Sequence, residues 1–341
     1  MMDTPLLSIC IPSYNRPEEL YRLLKSIDIK ANDKVEIVIC EDYAPRREEV
    51  RQQVNKFKLE SNYKICYHEN EKLGGGGYDR NLRQCIRQAS GKWIMFMGDD
   101  DMFVSDTMDD YLLFLEKHPQ LGYVLRSYQA IHMDGQVEQF KYYEDTRFFE
   151  PGFQAYVELF RKSVFVSGFA CQRKYAVESL TDRFDGSLLY QLYIMAEICM
   201  VHPSAYYGIP ITQSIDGGIP YFGSSDAEKD LYTPGTVTVD NSINFMKNFF
   251  VITSFLDQKY KIHSTEYIQR DISKYAYPVL SIQRKKGRKV FFQYHRRLKE
   301  LGIAITLYYY IYFVALFLFN EKICDGIIRG LKKILGKTPK L

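Results

Sequence analysis

The chain lacks closely paired cysteines, a charge of one sign and the pattern of a signal peptide. Its seven cysteines form no C-x-x-C motif and several lie in apolar runs, which disfavours a disulfide framework or a zinc site. The net charge of +3, from 45 basic and 42 acidic residues, gives no reason to expect a nucleic-acid partner. The scattered cysteines instead suit buried thiols, so we expect the protein in a reducing, cytosol-facing compartment. The chain does not begin with a basic segment followed by an apolar segment and a cleavage site, so we do not expect export by a signal peptide.

What the chain does have is apolar residues, 46% of its 341 residues, enough for one substantial core and a second, smaller unit. Short runs rich in Ile and Val alternate with amphipathic stretches over the first third. Strands are predicted at 6–11, 35–40, 63–67 and 93–97, and helices at 17–27, 46–59, 78–89 and 105–117. This pattern is typical of an α/β fold with a doubly wound, mostly parallel, Rossmann-like sheet.

Beyond Gly122 the pattern becomes mixed. A strand is predicted at 123–131, a turn at 133–135, and helices at 153–161 and 188–202. The Gly/Pro-rich stretch 209–235 interrupts this regularity and is long enough to be a functional loop or lid. Helical patterns resume at Val239 and continue almost to the end.

The C-terminal third is both basic and apolar. Residues 284–299 include eight basic side chains and no acidic one, and residues 329–340 include five and none. The stretch 302–319 is uncharged and rich in tyrosine, which allows an in-plane or re-entrant membrane helix, a true span, or a buried helix. A basic amphipathic helix follows, and such helices lie on anionic membranes. We therefore expect this region to associate with a membrane surface.

Three consecutive aspartates, Asp99, Asp100 and Asp101, follow the apolar run 92–97 after Gly98. Crowded carboxylates repel one another unless a cation lies among them, so the cluster indicates a site for Mg²⁺ or Mn²⁺ that would hold a phosphate. An aspartate-rich surface turn is the alternative. The position at the end of a strand favours the metal site, because open α/β sheets bind ligands at the carboxyl ends of their strands.

Two further strand ends carry groups that suit a ligand. These residues are Pro12, Ser13, Tyr14, Asn15 and Arg16 after the first strand, and Glu41 and Asp42 after the second. With the aspartates they offer stacking, hydrogen bonds and a metal site along one edge, as a nucleotide diphosphate requires. Asn15 and Pro17 also suit a helix start, with Asn15 as the cap.

A run of four glycines, Gly74–Gly77, lies between the third strand and its helix, which Asp79, Arg80 and Asn81 open. Glycines let the backbone approach a ligand closely, and a helix N-terminus favours anions. The run lacks the G-K-[ST] ending of a phosphate-binding loop, and a flexible linker is the alternative.

Other polar residues fit structural roles. His132, His202 and His263 lie in or beside apolar patterns and are predicted to be structural. The stretch Asp216-Gly217-Gly218 is predicted to be a turn, with contact to acceptor or donor as the alternative.

The order of these pieces resembles the family 2 glycosyltransferases with the GT-A fold. In that family a strand ending in Pro-x-Tyr-Asn is followed by a strand ending in acidic residues, by Asn-x-Gly and Arg-Asn, and by a strand that runs into an Asp-x-Asp metal motif. The matching segments here are 12–16, 41–42, 70–81 and 98–101. The resemblance covers residues 5–130 and fades afterwards.

The resemblance implies a nucleotide-sugar donor, usually a UDP-sugar, with Mn²⁺ or Mg²⁺ as cofactor. It would place Tyr14 near the base, Asp42 on the base or ribose, and Arg80 near the donor. The full set of predicted donor-binding residues is Pro12, Tyr14, Asn15, Arg16, Asp42, Gly74, Arg80, Asp99 and Asp100, and the predicted metal ligands are Asp99 and Asp101. A catalytic domain is predicted at 1–235, with a donor half at 1–130 and an acceptor half at 131–235, then a helical extension at 236–301 and membrane-associating helices at 302–341.

Two departures from the family pattern affect the site. The family has an aspartate where Gly98 stands, which leaves open which two of the three aspartates grip the metal. The family's catalytic base comes from a Glu-Asp pair at a helix start in the second half, and the corresponding stretch 185–191 has no such pair. Asp185 is the first candidate for the base and Asp182 the second, while Gln191 stands at the expected position.

Together these features predict an inverting glycosyltransferase that uses a membrane-lipid-linked saccharide as acceptor in the assembly of a bacterial surface polysaccharide such as O-antigen or capsule. It would work at the cytoplasmic face of the inner or plasma membrane as a peripheral or monotopic protein. One alternative is a nucleotidyltransferase that makes nucleotide sugars, although the place of its basic phosphate loop holds Ser13-Tyr14-Asn15. The other is a non-catalytic module that binds sugar or lipid.

Overall fold

The alternating apolar and amphipathic segments form a mixed sheet with helices packed on it. The computed structural model describes residues 4–218 and 221–335, and for residues 329 and 331–335 it describes only the backbone. The strands are β1 Leu7–Ser13, β2 Val35–Glu41, β3 Lys64–Glu69, β4 Trp93–Phe96, β5 Met102–Phe103, β6 Tyr123–Ile131, β7 Val137–Phe140, β8 Arg147–Phe149, β9 Phe169–Gln172 and β10 Ser204–Ile215. The helices that accompany them are α1 Pro17–Lys25, α2 Arg47–Glu60, α3 Tyr78–Gln88, α4 Met108–Lys117, α5 Phe153–Phe160, α6 Arg173–Glu178 and α7 Tyr190–Val201, with short 3-10 turns at Asn32–Lys34 and Arg161–Ser163.

The strands lie in the order β3-β2-β1-β4-β9-β6-β10-β5, with β7 on β6 and β8 on β10. The first four are parallel, as predicted. β9 is antiparallel to both β4 and β6, so β4 and β6 run the same way, and β10 is parallel to β6. The carboxyl ends of β1, β2, β4, β6 and β10 therefore meet at one edge of the sheet, here named the carboxyl edge.

The core follows the predicted pattern in the first half. The four residues of β4 and the seven of β1 and of β2 are buried, as expected for strands covered on both faces. Leu20, Leu23 and Leu24 of α1 are fully buried and recur at helical spacing, so they form the apolar stripe of that helix. Burying each such side chain contributes about 1.5–3 kcal/mol.

One prediction in the second half is wrong. Residues 209–215, assigned to an irregular stretch, form the end of the long strand β10. The register of β10 against β6 shifts on both sides of Pro210, so the strand is bulged there. A proline inside a strand removes a backbone donor and hides the period-two pattern, which is why the sequence favours a loop.

The chain divides into two compact units between Asp230 and Leu231. The second unit consists of α8 Val239–Tyr260, α9 Ser264–Lys274, α10 Tyr277–Arg284, α11 Arg288–Glu300 and α12 Leu307–Leu335. Within α12 the backbone at Asn320 is not helical, with φ 63° and ψ 173°, so the apolar and the amphipathic segments are separate helical pieces. The domain limits predicted at 235 and 301 stay predictions.

Within the ranges described, no helix combines the length and the apolar character that crossing a membrane requires. The predicted amphipathic segment continues past residue 335, and its last residues lie outside the described part of the chain.

Candidate functional site

The aspartate turn, defined as Gly98–Asp101, is the centre of the carboxyl edge. Asp99 is buried, and one of its oxygens accepts the backbone N–H of Tyr14 at 3.0 Å. The guanidinium of Arg16 bridges Asp99 at 2.9 Å and Asp100 at 3.0 Å. Both oxygens of Asp99 are thus engaged by the segment that follows β1, which ties this segment to the turn.

Asp101 is also buried in the same turn. One carboxylate oxygen, Oδ2, accepts a hydrogen bond from the hydroxyl of Ser167. Burial raises the pKa of Asp101 to about 7, and the neighbouring charge of Asp100 adds to the shift. Burial also raises the pKa of Asp99 to about 6, although Arg16 opposes this. For both carboxyls burial is the first cause, so the charged forms lack the solvent that would stabilise them, and a cation nearby would favour ionisation.

The aspartate turn suits a cation through Asp100 and Asp101 rather than through Asp99. Among the described residues, Oδ1 of Asp100 and Oδ1 of Asp101 accept no hydrogen bond, whereas both oxygens of Asp99 do. A Cβ atom on Gly98 would lie 3.1 Å from carboxylate oxygens of both Asp100 and Asp101, so a side chain there would crowd them. Nowhere in the described ranges do three or more His, Cys, Asp or Glu side chains form a ready metal cluster. A Mg²⁺ or Mn²⁺ ion held by two carboxylates would take its remaining ligands from a diphosphate and water. Asp99 as a metal ligand stays a prediction that this geometry does not favour.

The residues at the end of β1 and directly after it have different structural roles. Pro12 is buried inside β1, opposite Cys40. Asn15 has a positive φ of 63°, and its side-chain oxygen accepts the backbone N–H of Arg46 at 3.2 Å. Arg16, not Asn15, is the cap residue of α1, so the predicted cap is wrong, while Pro17 is in the first turn as predicted. A left-handed residue cannot also be a cap in extended conformation, which is the physical reason.

The glycine loop, defined as Gly74–Gly77, directs its backbone N–H groups at a carboxylate of the protein itself. Gly76 and Gly77 donate to Asp42 at 2.9–3.0 Å, and Asn70 donates to it at 3.0 Å. Burial nevertheless raises the pKa of Asp42 to about 6. Asp42 is thus held firmly at the carboxyl edge, and the loop's amides serve to hold it. The side chain of Arg80 folds over Gly76, where a Cβ atom would lie 2.7 Å from Arg80 Cδ.

Part of the loop or lid predicted at 209–235 covers these residues. We name Tyr221–Glu228 the cover segment. Its backbone accepts the hydroxyl of Tyr14 at Ser224, 3.2 Å, and donates from Asp226 to the carbonyl of Gly74, 2.7 Å. Arg16 lies 4.9 Å from the ring of Tyr221. The loop or lid predicted within 209–235 thus lies against the predicted donor-binding residues.

Glu228 fastens the cover segment to the start of α3. Its buried carboxylate accepts the N–H of Tyr78 at 2.7 Å with one oxygen and the N–H of Gly223 at 3.0 Å with the other. A carboxylate at a helix N-terminus is stabilised by the free N–H groups there. No local motif in the sequence signals this contact, because Glu228 and Tyr78 are brought together only by the fold.

The predicted catalytic bases lie on the loop before α7. Both oxygens of Asp185 bind the guanidinium of Arg83, the second pair at 2.7 Å. Asp182 is exposed, and its carbonyl accepts the N–H of Asp185 at 3.1 Å. Gln191 is buried and donates to the carbonyl of Val164 at 3.0 Å. Because Arg83 engages both carboxylate oxygens, neither is free to accept a proton from an acceptor hydroxyl. The geometry therefore does not favour Asp185 as the base, and that assignment stays a prediction.

The same loop is also anchored to α3 by a buried carboxylate, that of Asp79. Asp79 accepts the N–H groups of Leu188 at 2.9 Å and Tyr190 at 3.0 Å. Burial raises the pKa of Asp79 to about 7 even so. The loop of Asp185 is therefore anchored at two points on α3.

A further polar group stands where β6 and β10 end. The ring of His132 contacts Asp216 at 2.7 Å and Glu138 at 3.1 Å. These carboxylates, Asp216 first, raise the pKa of His132. A Cβ atom on Gly218 would lie 3.8 Å from Asp100, so the turn that carries Asp216 is beside the aspartate turn. His132, which was predicted to be structural, and the predicted turn 216–218 thus both lie at the carboxyl edge.

Comparison with known proteins agrees with the geometry. A family model described as glycosyl transferase family 2 matches residues 8–180. An uncharacterised glycosyltransferase of Haemophilus influenzae is 29% identical over 119 residues, which are 35% of this chain and 37% of that protein. The abequosyltransferase RfbV of Salmonella typhimurium is 28% identical over 34% of each chain. The UDP-Glc:alpha-D-GlcNAc-diphosphoundecaprenol beta-1,3-glucosyltransferase WfaP of Escherichia coli is 29% identical over 33% of this chain and 41% of its own. The matched region thus covers less than half of each of these relatives.

The fold extends further than the sequence similarity. The crystal structure of residues 1–349 of TarS from S. aureus, in complex with UDP-GlcNAc, matches with a TM-score of 0.56 and 11% identity. The match covers 87% of this chain and 89% of that one. At this identity the likeness concerns the fold, which is of the GT-A type as expected.

Proposed function

Because the chain belongs to glycosyl transferase family 2, we propose that it transfers a sugar from a nucleotide-diphosphate sugar, foremost a UDP-sugar, to a lipid-linked saccharide. The observation that supports this best is the convergence at the carboxyl edge of an aromatic ring, a guanidinium and a cluster of three carboxylates. The names of WfaP and of the TarS complex specify UDP-sugars, and that of WfaP an acceptor on diphosphoundecaprenol. We extend these ligand classes to this chain.

The nucleoside would bind beside Tyr14, with Asp42 as its polar anchor. Because the Tyr14 hydroxyl contacts Ser224 of the cover segment, this segment would have to move to admit the ligand. Asp42 is already held in place by Gly76, Gly77 and Asn70, so it would meet the ligand without reorganising. Preorganised groups lose less entropy on binding. Arg80, exposed beside Gly76, would face the charged part of the donor.

Mn²⁺ or Mg²⁺ would be held by Asp101 and Asp100, whose unbonded oxygens remain available among the described residues. Bound there, the ion would offset the negative charge that develops on the leaving diphosphate. Arg16, already on Asp99 and Asp100, would add a fixed positive charge next to the same diphosphate.

The acceptor hydroxyl would attack the anomeric carbon while a carboxylate takes its proton, and a single in-line displacement would invert the configuration. Two carboxylates compete for this role. Asp185 lies at the place that the family pattern indicates, but Arg83 holds both of its oxygens. Asp216 is half-exposed, belongs to the turn whose Gly218 lies near Asp100, and keeps one oxygen free of described partners. We therefore propose Asp216 as the base, with Asp185 as the competing candidate.

The second unit would bring the protein to a membrane surface at the cytoplasmic face. Leu307, Ile311, Val314 and Leu318 of α12 recur at helical spacing and are exposed. Exposed basic residues, among them Arg288, Lys289 and Arg296, precede them on α11. An apolar stripe with basic neighbours fits an anionic lipid surface, where a lipid-linked acceptor would be found.

The test is calorimetric titration of the full chain with UDP, GDP, CDP and dTDP, with and without Mn²⁺, followed by transfer assays with the matching sugar nucleotides. We expect one nucleotide to bind only with Mn²⁺, and Asp101→Ala to abolish that binding. Asp106→Ala, an exposed aspartate a few residues away, is the matched control. Absence of binding to every nucleotide by folded protein would refute the proposal. Binding without any transfer would instead favour a non-catalytic sugar-binding module.

A further inference from the structure

Arg126, in the middle of β6, is a fully buried arginine behind the aspartate turn. Its Nε donates to the carbonyl of Ser167 at 2.5 Å and its Nη2 to the carbonyl of Phe165 at 2.8 Å. The third nitrogen, Nη1, has no hydrogen-bond partner in the described part of the chain. No carboxylate there forms an ion pair with it either. Its guanidinium therefore faces the backbone carbonyls of one loop and the rings of Phe165, at 4.7 Å, and Tyr128, at 5.3 Å.

That loop, Phe165–Gly168, is joined directly to the aspartate turn. Gly168 donates its N–H to the carbonyl of Phe96 at 2.8 Å, at the end of β4. Gly98 donates its N–H to the hydroxyl of Ser167 at 2.9 Å, and this hydroxyl donates its own hydrogen to Asp101. The hydroxyl therefore has one donor and one acceptor, so its hydrogen is committed to Asp101. This fixes which way the Asp101 carboxylate faces.

The loop lies flat on the guanidinium because it has a glycine at the point of contact. Gly168 has φ +82°, and a Cβ atom there would lie 2.9 Å from Nε of Arg126. Burying a guanidinium without a carboxylate partner costs several kcal/mol, and an apolar side chain of similar size would avoid that cost. This cost has a reason if the arginine orients the loop for a residue next to it. Asp101 is the charged residue that the loop contacts.

We propose that Ser167 and Arg126 are positioning residues for Asp101. Arg126 holds the backbone of Ser167, and the Ser167 hydroxyl holds Oδ2 of Asp101, which leaves Oδ1 without a partner among the described residues. The inference rests on the proposed function, in which Asp101 takes part in cation and diphosphate binding. Neither residue touches the ligand; both act through the orientation of one carboxylate.

The experiment measures the Mn²⁺ concentration that gives half-maximal binding of the nucleotide identified above, for the wild type and Ser167→Ala. Loss of a hydrogen bond to a charged group should raise that concentration about tenfold. The matched control is Ser163→Ala, another fully buried serine, whose hydroxyl contacts Tyr123 and the carbonyl of Leu159 instead. We expect Ser163→Ala to lower stability while the Mn²⁺ dependence stays as in the wild type. A merely structural role of Ser167 would give the same behaviour in both variants.

Arg126→Lys extends the test from the hydroxyl to the guanidinium. It keeps the charge but offers no planar fork for two carbonyls, so the Mn²⁺ dependence should shift in the same direction. If this variant does not fold, Ser167→Ala alone decides. A wild-type Mn²⁺ dependence in folded Ser167→Ala would overturn the positioning role and leave the proposed function intact. Absence of Mn²⁺-dependent nucleotide binding in the wild type would overturn both, so the two failures are distinguishable.

Discussion

Asp101→Asn should make the metal-free protein more stable while it removes nucleotide binding. Asp101 is 7% exposed, and burial together with the charge of Asp100 raises the pKa of its carboxyl group to about 7. An unfolded aspartate titrates near pH ~4. In the folded state the proton is therefore held more tightly than in the unfolded state, and the ionised group opposes folding above neutral pH.

The direction and size of the effect follow from linkage. Between about pH 4 and pH 7 the folded state keeps the proton and the unfolded state has lost it, so the stability of the wild type falls as pH rises. A pKa of about 7 against an ordinary value near 4 corresponds to at most about 4 kcal/mol. The asparagine keeps an oxygen for the Ser167 hydroxyl and has no charge to bury. Its advantage over the wild type should be absent near pH 4 and complete above pH 7.

The assay is urea unfolding of both proteins in EDTA from pH 4 to pH 8.5, with Asp106→Asn as control. Asp106 is exposed and has φ 59°, a conformation that asparagine adopts readily, so its replacement should leave stability almost unchanged. Other carboxyls with raised pKa values, such as Asp42 and Asp79, are common to all variants and cancel in the difference. Asp101→Asn that is less stable than the wild type, or a difference that does not change with pH, would refute the reasoning.

Three further outcomes are expected. Gly74→Ala should lose about 2–3 kcal/mol in urea unfolding, because its Cβ atom would lie 2.1 Å from Asp226; Gly135→Ala, with nearly the same φ and no atom within 4 Å, should lose only about 1 kcal/mol, and equal losses would speak against the cover segment. Asp216→Asn should lower kcat about 100-fold or more in the transfer assay with little change in nucleotide affinity, whereas Asp185→Asn should mainly lower stability; the reverse pattern would assign the base to Asp185. Replacing exposed Ile311 and Leu318 by serine should reduce co-sedimentation with vesicles of phosphatidylglycerol, while Leu59→Ser, on the exposed face of α2, should leave it unchanged; equal sedimentation of both variants would remove the membrane surface.

The donor half was predictable from sequence because its signals are local. Strands such as β1 and β2 are buried on both faces, so their apolar runs stand out, and each strand end is marked by polar residues directly after the run. Parallel pairing then brings Tyr14, Asp42 and the aspartate turn to one edge whatever the detailed packing. The order of these motifs was also enough to predict the family to which the chain belongs.

The second half was less predictable because a bulge interrupts the strand pattern in one place, and because its other contacts join residues far apart in the chain. The bulge at Pro210 conceals the end of β10, and with it the position of Asp216 at the carboxyl edge. The hydrogen bond from Tyr78 to Glu228 and the ion pair of Arg83 with Asp185 join residues far apart in the chain, and no spacing rule relates them. The family pattern therefore indicated Asp185 without indicating that an arginine holds it.

The sequence by itself determined the α/β class, the family and the cluster of acidic groups at the end of β4, because periodicity and short motifs depend only on neighbouring residues. Only the tertiary structure decided how those acidic groups are used. Asp99 is bound by Arg16, and Asp101 is oriented by Ser167 and Arg126, leaving Asp100 and Asp101 with oxygens free of described partners. The charge and burial of a carboxylate depend on every element packed around it, and that environment exists only once the sheet has formed.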